Sequence, residues 1–294
     1  MAPAMIVPNV AQAEADVAGH YDELDPVYRA VWGDHVHHGL WTSGRETPAQ
    51  AVEALADLVG ERLAPRPGDC LVDIGCGYGA TAARFAERLG VAVTGLTLSK
   101  AQHRIASARG GALSFHVRDW LANHLPAAAF DHGYAIESSE HMTDKPLFFG
   151  EAHRVLKPGG RLVVCAWLAA PAPTPWQIRH LLEPICREGR LPSMGSQANY
   201  EAMARDAGFE LVAFEDLSRR VRRTWTLCLT GFLRHLLTDG GARRLVFSPA
   251  TRNRIFMATL PRLIWAYRSG AMRYGLFTFA KPLESSANGK AGHD

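Results

Sequence analysis

No run in this 294-residue chain approaches the roughly 20 apolar residues that a membrane-crossing helix needs, so stable membrane insertion is not expected. Charge of one sign is also lacking. The 32 Lys and Arg nearly balance 29 Asp and Glu, leaving +3, so bulk charge offers no footprint for nucleic acid. Cysteine is sparse: Cys70, Cys76, Cys165, Cys186 and Cys228 have neither the paired spacing of a zinc site nor the even count of a disulfide scaffold. The opening MAPAMIVPNVAQAEAD lacks a positive stretch followed by an apolar core, so no secretory signal is expected. A reducing, cytoplasmic setting is the expectation. Internal repeats are absent, and RRVRR at 219–223 reads as a solvated basic face. With 47% hydrophobic and 21% charged residues, what remains is a folded globular protein.

The chain is organised around Asp69–Thr81, DCLVDIGCGYGAT. An apolar run leads into Gly75, Gly77 and Gly79 at every second position, and a helical pattern follows at once. This spacing predicts a buried strand, a tight glycine turn and a helix N-terminus, an arrangement that admits a ligand close to the backbone. Downstream, strands are predicted over 91–99, 113–117, 131–136 and 161–167, alternating with helices over 80–89, from Ser99 onward and over 147–155. Ala49–Leu63 reads as a further amphipathic helix. Alternation at these intervals predicts a parallel sheet with helical crossovers, with function at the C-terminal ends of its strands. Further on, 176–189, 197–207, 225–237 and 252–269 read as helices. Strands over 209–218 and 274–280 are expected to pair. Met1–Val10 reads as a loose end, and 11–32 as a helix with an aromatic stripe.

A dinucleotide site would explain the glycines, but three features point elsewhere. The helix glycine of G-x-G-x-x-G is missing, the second strand ends in Thr97 rather than an acidic residue, and a Lys-Pro-Gly-Gly corner precedes the late strand. VDIGCGYG at 72–79, FDHGYAIESSEHM and EAHRVLKPGGRLVV resemble the class I S-adenosylmethionine-dependent methyltransferases. WGDHVHHGLW, GLTLSKAQ and ESSEHMTDK are similar to the tocopherol-type small-molecule enzymes, and YAIE to the sterol C-methyltransferases.

This resemblance implies a Rossmann-like mixed seven-stranded sheet with helices on both faces. It divides the chain into an N-terminal helical cover (1–48), a core (49–282) with helical insertions at about 170–207 and 225–270, and a disordered tail (283–294). It implies that Asp73, Gly75, Gly77 and Gly79 hold the methionine portion of the cofactor. Leu96, Thr97, Leu98 and Gln102 would approach the ribose and adenosine, and Asp119 and Trp120 the adenine. Asp73 and Trp120 are also open to purely structural readings.

The cofactor carries the electrophilic methyl, so the transfer requires no metal, and His35, His37 and His38 do not read as a zinc site. The protein must align an acceptor and exclude water. Glu137 and His141 are the candidate bases, since they follow the strand whose end borders the methyl. The bland alternative makes Glu137 an acceptor of local donors and His141 a helix cap.

Tyr21, Trp32, His38, Trp41 and Trp225 are the candidate pocket residues for an apolar acceptor, phenolic or isoprenoid. If that acceptor were an alkene, aromatic faces could stabilise a carbocation and Glu137 take the final proton. A diphosphate acceptor would need Arg179, Arg219, Arg220, Arg222 or Arg223. Cyclopropane-type transfer to lipids, a non-catalytic cofactor-binding regulator and nicotinamide binding remain the competing readings. Oligomeric state is open.

Overall fold

The computed structural model describes residues 3–10, 19, 22, 33–238, 240 and 255–283. The predicted 11–32 helix falls almost wholly outside these residues, and the tail beyond 283, Tyr21 and Trp32 lie outside them as well. The described elements run α1 (Pro48–Leu63), β1 (Cys70–Ile74), α2 (Ala80–Leu89), β2 (Ala92–Thr97), α3 (Lys100–Ser107), β3 (Leu113–Val117), β4 (Phe130–Ile136), α4 (Lys145–Val155) and β5 (Leu156–Ala169). A helical stretch follows through Pro175–Gln177, Ile178–Leu182 and Glu183–Glu188 (α5). Then come α6 (Gln197–Asp206), β6 (Glu210–Asp216), α7 (Ser218–Val221), α8 (Arg223–Thr238), α9 (Ile255–Arg268) and β7 (Met272–Ala280).

The seven strands form one sheet in the order β3-β2-β1-β4-β5-β7-β6, parallel except for β7, which runs antiparallel to both neighbours. The expected pairing of the last two strands is therefore present. Both faces of the sheet are covered, and the two-residue period of the strands sorts side chains between them. Leu71, Tyr134, Val163 and Cys165 enter one core with Leu55, Val59 and Phe85. Val72, Ala135, Val164 and Ala166 enter the other with Phe148, Phe149 and Tyr200.

Local chemistry sets the helix starts. Thr47 and Gln50 form a reciprocal cap before Pro48, and Ser99 accepts from the Gln102 N–H, as its position predicted. Two expectations change. Met1–Val10 is not a loose end over its described part: Ile6 is buried and exchanges two backbone hydrogen bonds with Met194, of 2.9 and 2.8 Å. The helix expected over 176–189 widens to a π turn at Ile178–Leu182. Pro184 supplies the reason, because it has no N–H for the carbonyl one turn back.

β5 begins earlier than predicted and takes in the Lys-Pro-Gly-Gly corner. A Cβ at Gly160 would lie 2.5 Å from the Asp131 carbonyl oxygen and 2.9 Å from that of Lys157, both main-chain atoms. Gly160→Ala should therefore destabilise the fold by about 1–3 kcal/mol. Gly150→Ala in α4 meets nothing within 4 Å and should stabilise by up to about 1 kcal/mol. Denaturant melts of the two variants check the contrast.

Candidate active site

Strand order reverses between β1 and β4, and a crevice opens there beyond the carboxyl ends of the strands. Each strand end delivers a segment to it: Gly75 and Gly77 from β1, Leu96 to Ser99 from β2, Arg118 to Trp120 from β3, and Ile136 to Ser138 from β4. Gln102, His141, Met142 and Val36 complete the lining. Gly75 and Gly77 adopt φ of 84° and 53°. A Cβ on Gly75 would strike the Ser138 Cβ at 2.4 Å, whereas one on Gly77 would meet nothing, so Gly77 presents bare backbone to open space. Such a cradle fits a ligand that must lie against the main chain. Polar groups at the strand ends and an apolar wall of Leu96, Leu98, Trp120 and Ile136 suit a nucleoside.

Eight of the ten cofactor-site residues predicted from sequence line this cavity. Asp73 and Gly79 do not. Asp73 is 3% exposed and accepts a 2.9 Å hydrogen bond from the Tyr134 hydroxyl, and Gly79 caps α2 against Phe115. Some lining groups are already engaged. Thr97 donates to Gln102 Oε1 at 2.8 Å, and Asp119 Oδ1 accepts from the Leu121 N–H at 2.9 Å. Arg118, Ser138, Val36, Ile136 and Met142 were missed. Ser138 and Met142 sit in the ESSEHM cluster and were within reach of the pattern; Val36 and Arg118 carry no local signal.

The two candidate bases occupy different situations. Glu137 lines the cavity, yet its carboxylate accepts from the His38 N–H (2.7 Å), His38 Nδ1 (2.9 Å), Trp167 Nε1 (2.9 Å) and the Tyr274 hydroxyl (2.8 Å). Burial opposes its ionisation, but charge and hydrogen bonding from His38 outweigh that and hold it at about 2. A carboxylate so held is a poor proton acceptor. His141 is also buried, and burial lowers it to about 4. Its Nδ1–H donates to the Arg190 carbonyl at 3.3 Å, which leaves the lone pair of the neutral ring on Nε2.

The expected aromatic pocket takes another form. His38 and Trp225 are packed edge-on at 5.0 Å, with Trp167, Tyr267 and Tyr274 around them, in a solid cluster that encloses Glu137. Trp41 lines a second cavity instead. Of the neighbouring histidines, His35 meets Thr81 and lies edge-on to His37 with ring centroids 5.2 Å apart, His37 meets the His38 carbonyl, and His38 the Glu137 carboxylate.

The model of the family described as mycolic acid cyclopropane synthetase matches residues 9–238. The chain belongs to this family of class I S-adenosylmethionine-dependent methyltransferases. It is 34% identical over 218 residues to the 27-O-demethylrifamycin SV methyltransferase of Amycolatopsis mediterranei (strain S699), covering 72% of this chain and 79% of that one. It is 30% identical over 286 residues to a probable chloroplastic tocopherol O-methyltransferase of Oryza sativa subsp. japonica, covering 90% and 78% respectively. Among solved structures it resembles the cyclopropane synthase MmaA2 of Mycobacterium tuberculosis, with a TM-score of 0.80, 26% identity and coverage of 93% and 100%. This chain is thus an S-adenosylmethionine-dependent methyltransferase of small molecules. No described helix is long and apolar enough to cross a membrane.

Burial raises Asp73 to about 7, with the Tyr134 hydrogen bond acting in the opposite direction. In the unfolded chain this carboxyl ionises near 3.8, so its stabilising contribution is full below that value and is lost as pH rises toward 7. Asp73→Asn keeps an acceptor for Tyr134. Relative to wild type, it should shift the pH dependence of the melting temperature of the ligand-free protein toward stability that is gained, not lost, as pH rises from about 4 to 7. Glu140, raised to about 8 first by burial and then by the Glu137 charge, contributes a slope of the same sign as Asp73, and the buried His35 and His141, lowered to about 3 and about 4, contribute the opposite sign, so the comparison is made between variant and wild type.

Proposed function

We propose that the acceptor is a hydroxyl on a bulky apolar molecule, phenolic or isoprenoid in character, and that His141 is the base. The observation that carries this reading is the contrast between the two candidates on the cavity wall. Burial lowers His141 to about 4, so its imidazole is neutral at pH 7 on the cavity wall, while Glu137 is an ionised carboxylate committed to four donors and held at about 2. The O-methyltransferase names of the rifamycin-modifying and tocopherol-modifying relatives agree with it.

S-adenosylmethionine supplies an electrophilic methyl, and the chain's task is to orient and to exclude water. Gly75 and Gly77 would hold its methionine portion, Leu96, Thr97, Leu98 and Gln102 the ribose side, and Asp119 and Trp120 the adenine. Asp73 and Gly79 support the turn from behind. Val36, Ile136 and Met142 furnish an apolar wall for the acceptor beside His141, whose Nε2 takes the hydroxyl proton as the oxygen attacks. The five free cysteines accord with work in a reducing cytoplasm.

Incubation with labelled cofactor and a panel of phenolic, prenyl and amine acceptors tests the proposal. Label should appear on a hydroxyl. His141→Ala should slow turnover by about 10²–10⁴-fold while the melting shift induced by S-adenosylhomocysteine persists. Transfer to an alkene carbon, or a His141→Ala variant as fast as wild type, would overturn the assignment.

Glu137→Gln places an amide N–H₂ among four donors and should cost about 3–5 kcal/mol of stability, read by denaturant melts. A folded Glu137→Gln protein of unchanged stability, with turnover lost only on alkenes, would instead favour carbon methylation with Glu137 as proton acceptor.

A further inference from the structure

The second cavity, about 660 Å³ and open to solvent, is unlike the first. Five arginines line it: Arg219, Arg220, Arg222 and Arg223 from α7 and the start of α8, and Arg268 from the end of α9. The turn Trp41 to Gly44 forms the opposite wall. Among the described residues, no carboxylate pairs with any of the five.

Two of the guanidinium groups are positioned by neutral partners. Arg220 donates to the Thr42 hydroxyl at 3.0 Å. Arg223 donates to the Gly44 carbonyl and sits over the Trp41 ring, 5.8 Å from its centroid. Glu46 is not among the lining residues: its Oε1 accepts from the Thr42 and Ser43 N–H groups and the Ser43 hydroxyl, and its Oε2 is buried without a hydrogen-bond partner. Asp216 is likewise turned to Ser218 and lies 3.8 Å from Arg273.

Five like charges around one concavity repel one another, and their forks keep most of their donors unspent. The arrangement lowers its own energy by taking up negative charge, and planar guanidinium forks match phosphate oxygens two at a time. We propose that this cavity binds a polyanion of the diphosphate class. Nothing in the methyl-transfer site requires it, so the proposal stands or falls apart from the His141 reading.

The segment between the two cavities limits how the sites relate. Val36 borders the cofactor crevice and Trp41 the arginine cavity. Five residues of chain separate their Cα atoms by at most about 18 Å. A diphosphate could thus arrive as the headgroup of an acceptor or as a free ion.

The test is calorimetric and thermal titration of the full chain with inorganic diphosphate, against sodium chloride at matched ionic strength. Saturable binding and a rise in melting temperature beyond the chloride control are expected. Arg222→Ala/Arg268→Ala should weaken that binding by at least about ten-fold, with the S-adenosylhomocysteine shift reporting that the variant is folded. Arg205→Ala, on the exposed face of α6, should bind diphosphate as wild type does.

Two further arms separate the sources. A diphosphate ester whose KM as acceptor lies well below that of the parent alcohol, and rises in the double variant, identifies a headgroup site. Diphosphate that binds without competing with acceptor identifies a site for the free ion. A response equal to that of chloride, or equal in wild type and double variant, overturns the proposal.

Discussion

The buried Glu137 carboxylate is the interaction on which the site depends. It lies at the end of β4, and its four donors come from three other parts of the chain: the segment before α1 through His38, β5 through Trp167 and β7 through Tyr274. The second imidazole nitrogen of His38 lies 3.2 Å from the Tyr267 hydroxyl, which brings α9 into the same knot. An ionised carboxylate taken out of water is tolerated only when its lone pairs are met, and these four donors meet them. Because the donors lie up to 137 positions from Glu137 in sequence, satisfying one charge also docks the N-terminal segment and the last strand beside the crevice at the strand-order reversal.

This knot divides the carboxyl end of the sheet into two environments. On one side, the crevice at the strand-order reversal is edged with backbone, short polar side chains and apolar walls. The proposed base, His141, lies there as an imidazole that burial keeps neutral. On the other side, α7, α8 and α9 gather arginines over Trp41, where burial is slight and positive charge is unmatched among the described residues. The same segment, residues 36–41, contributes to both. Its histidine seals the knot, its valine faces the crevice and its tryptophan faces the arginines.

Glu140, one turn beyond Glu137, shows how closely placement governs chemistry. It accepts from the Trp167 N–H at 2.7 Å and from the Ser139 hydroxyl, yet burial and the nearby Glu137 charge push it up to about 8. Two glutamates three residues apart therefore differ widely in protonation. The ionised one is the one that meets His38.

The amino-acid sequence by itself determined the sheet architecture and most of the lining of the crevice at the strand-order reversal. Both rest on local signals: glycines that must adopt positive φ, caps such as Ser99, and strand runs whose period assigns faces. Residues 96–98 and 119–120 reach the crevice simply by lying at strand ends, and a parallel sheet places every such end on one edge. Tertiary structure alone decided what the aromatic and charged side chains do. Nothing near His38 or Trp225 in sequence announces that they would meet around Glu137 rather than line a pocket, because that contact joins residues far apart in the chain. The choice between Glu137 and His141, which the amino-acid sequence leaves open, turns on the same kind of contact. Their protonation is set by long-range partners and by burial, which composition and spacing do not encode.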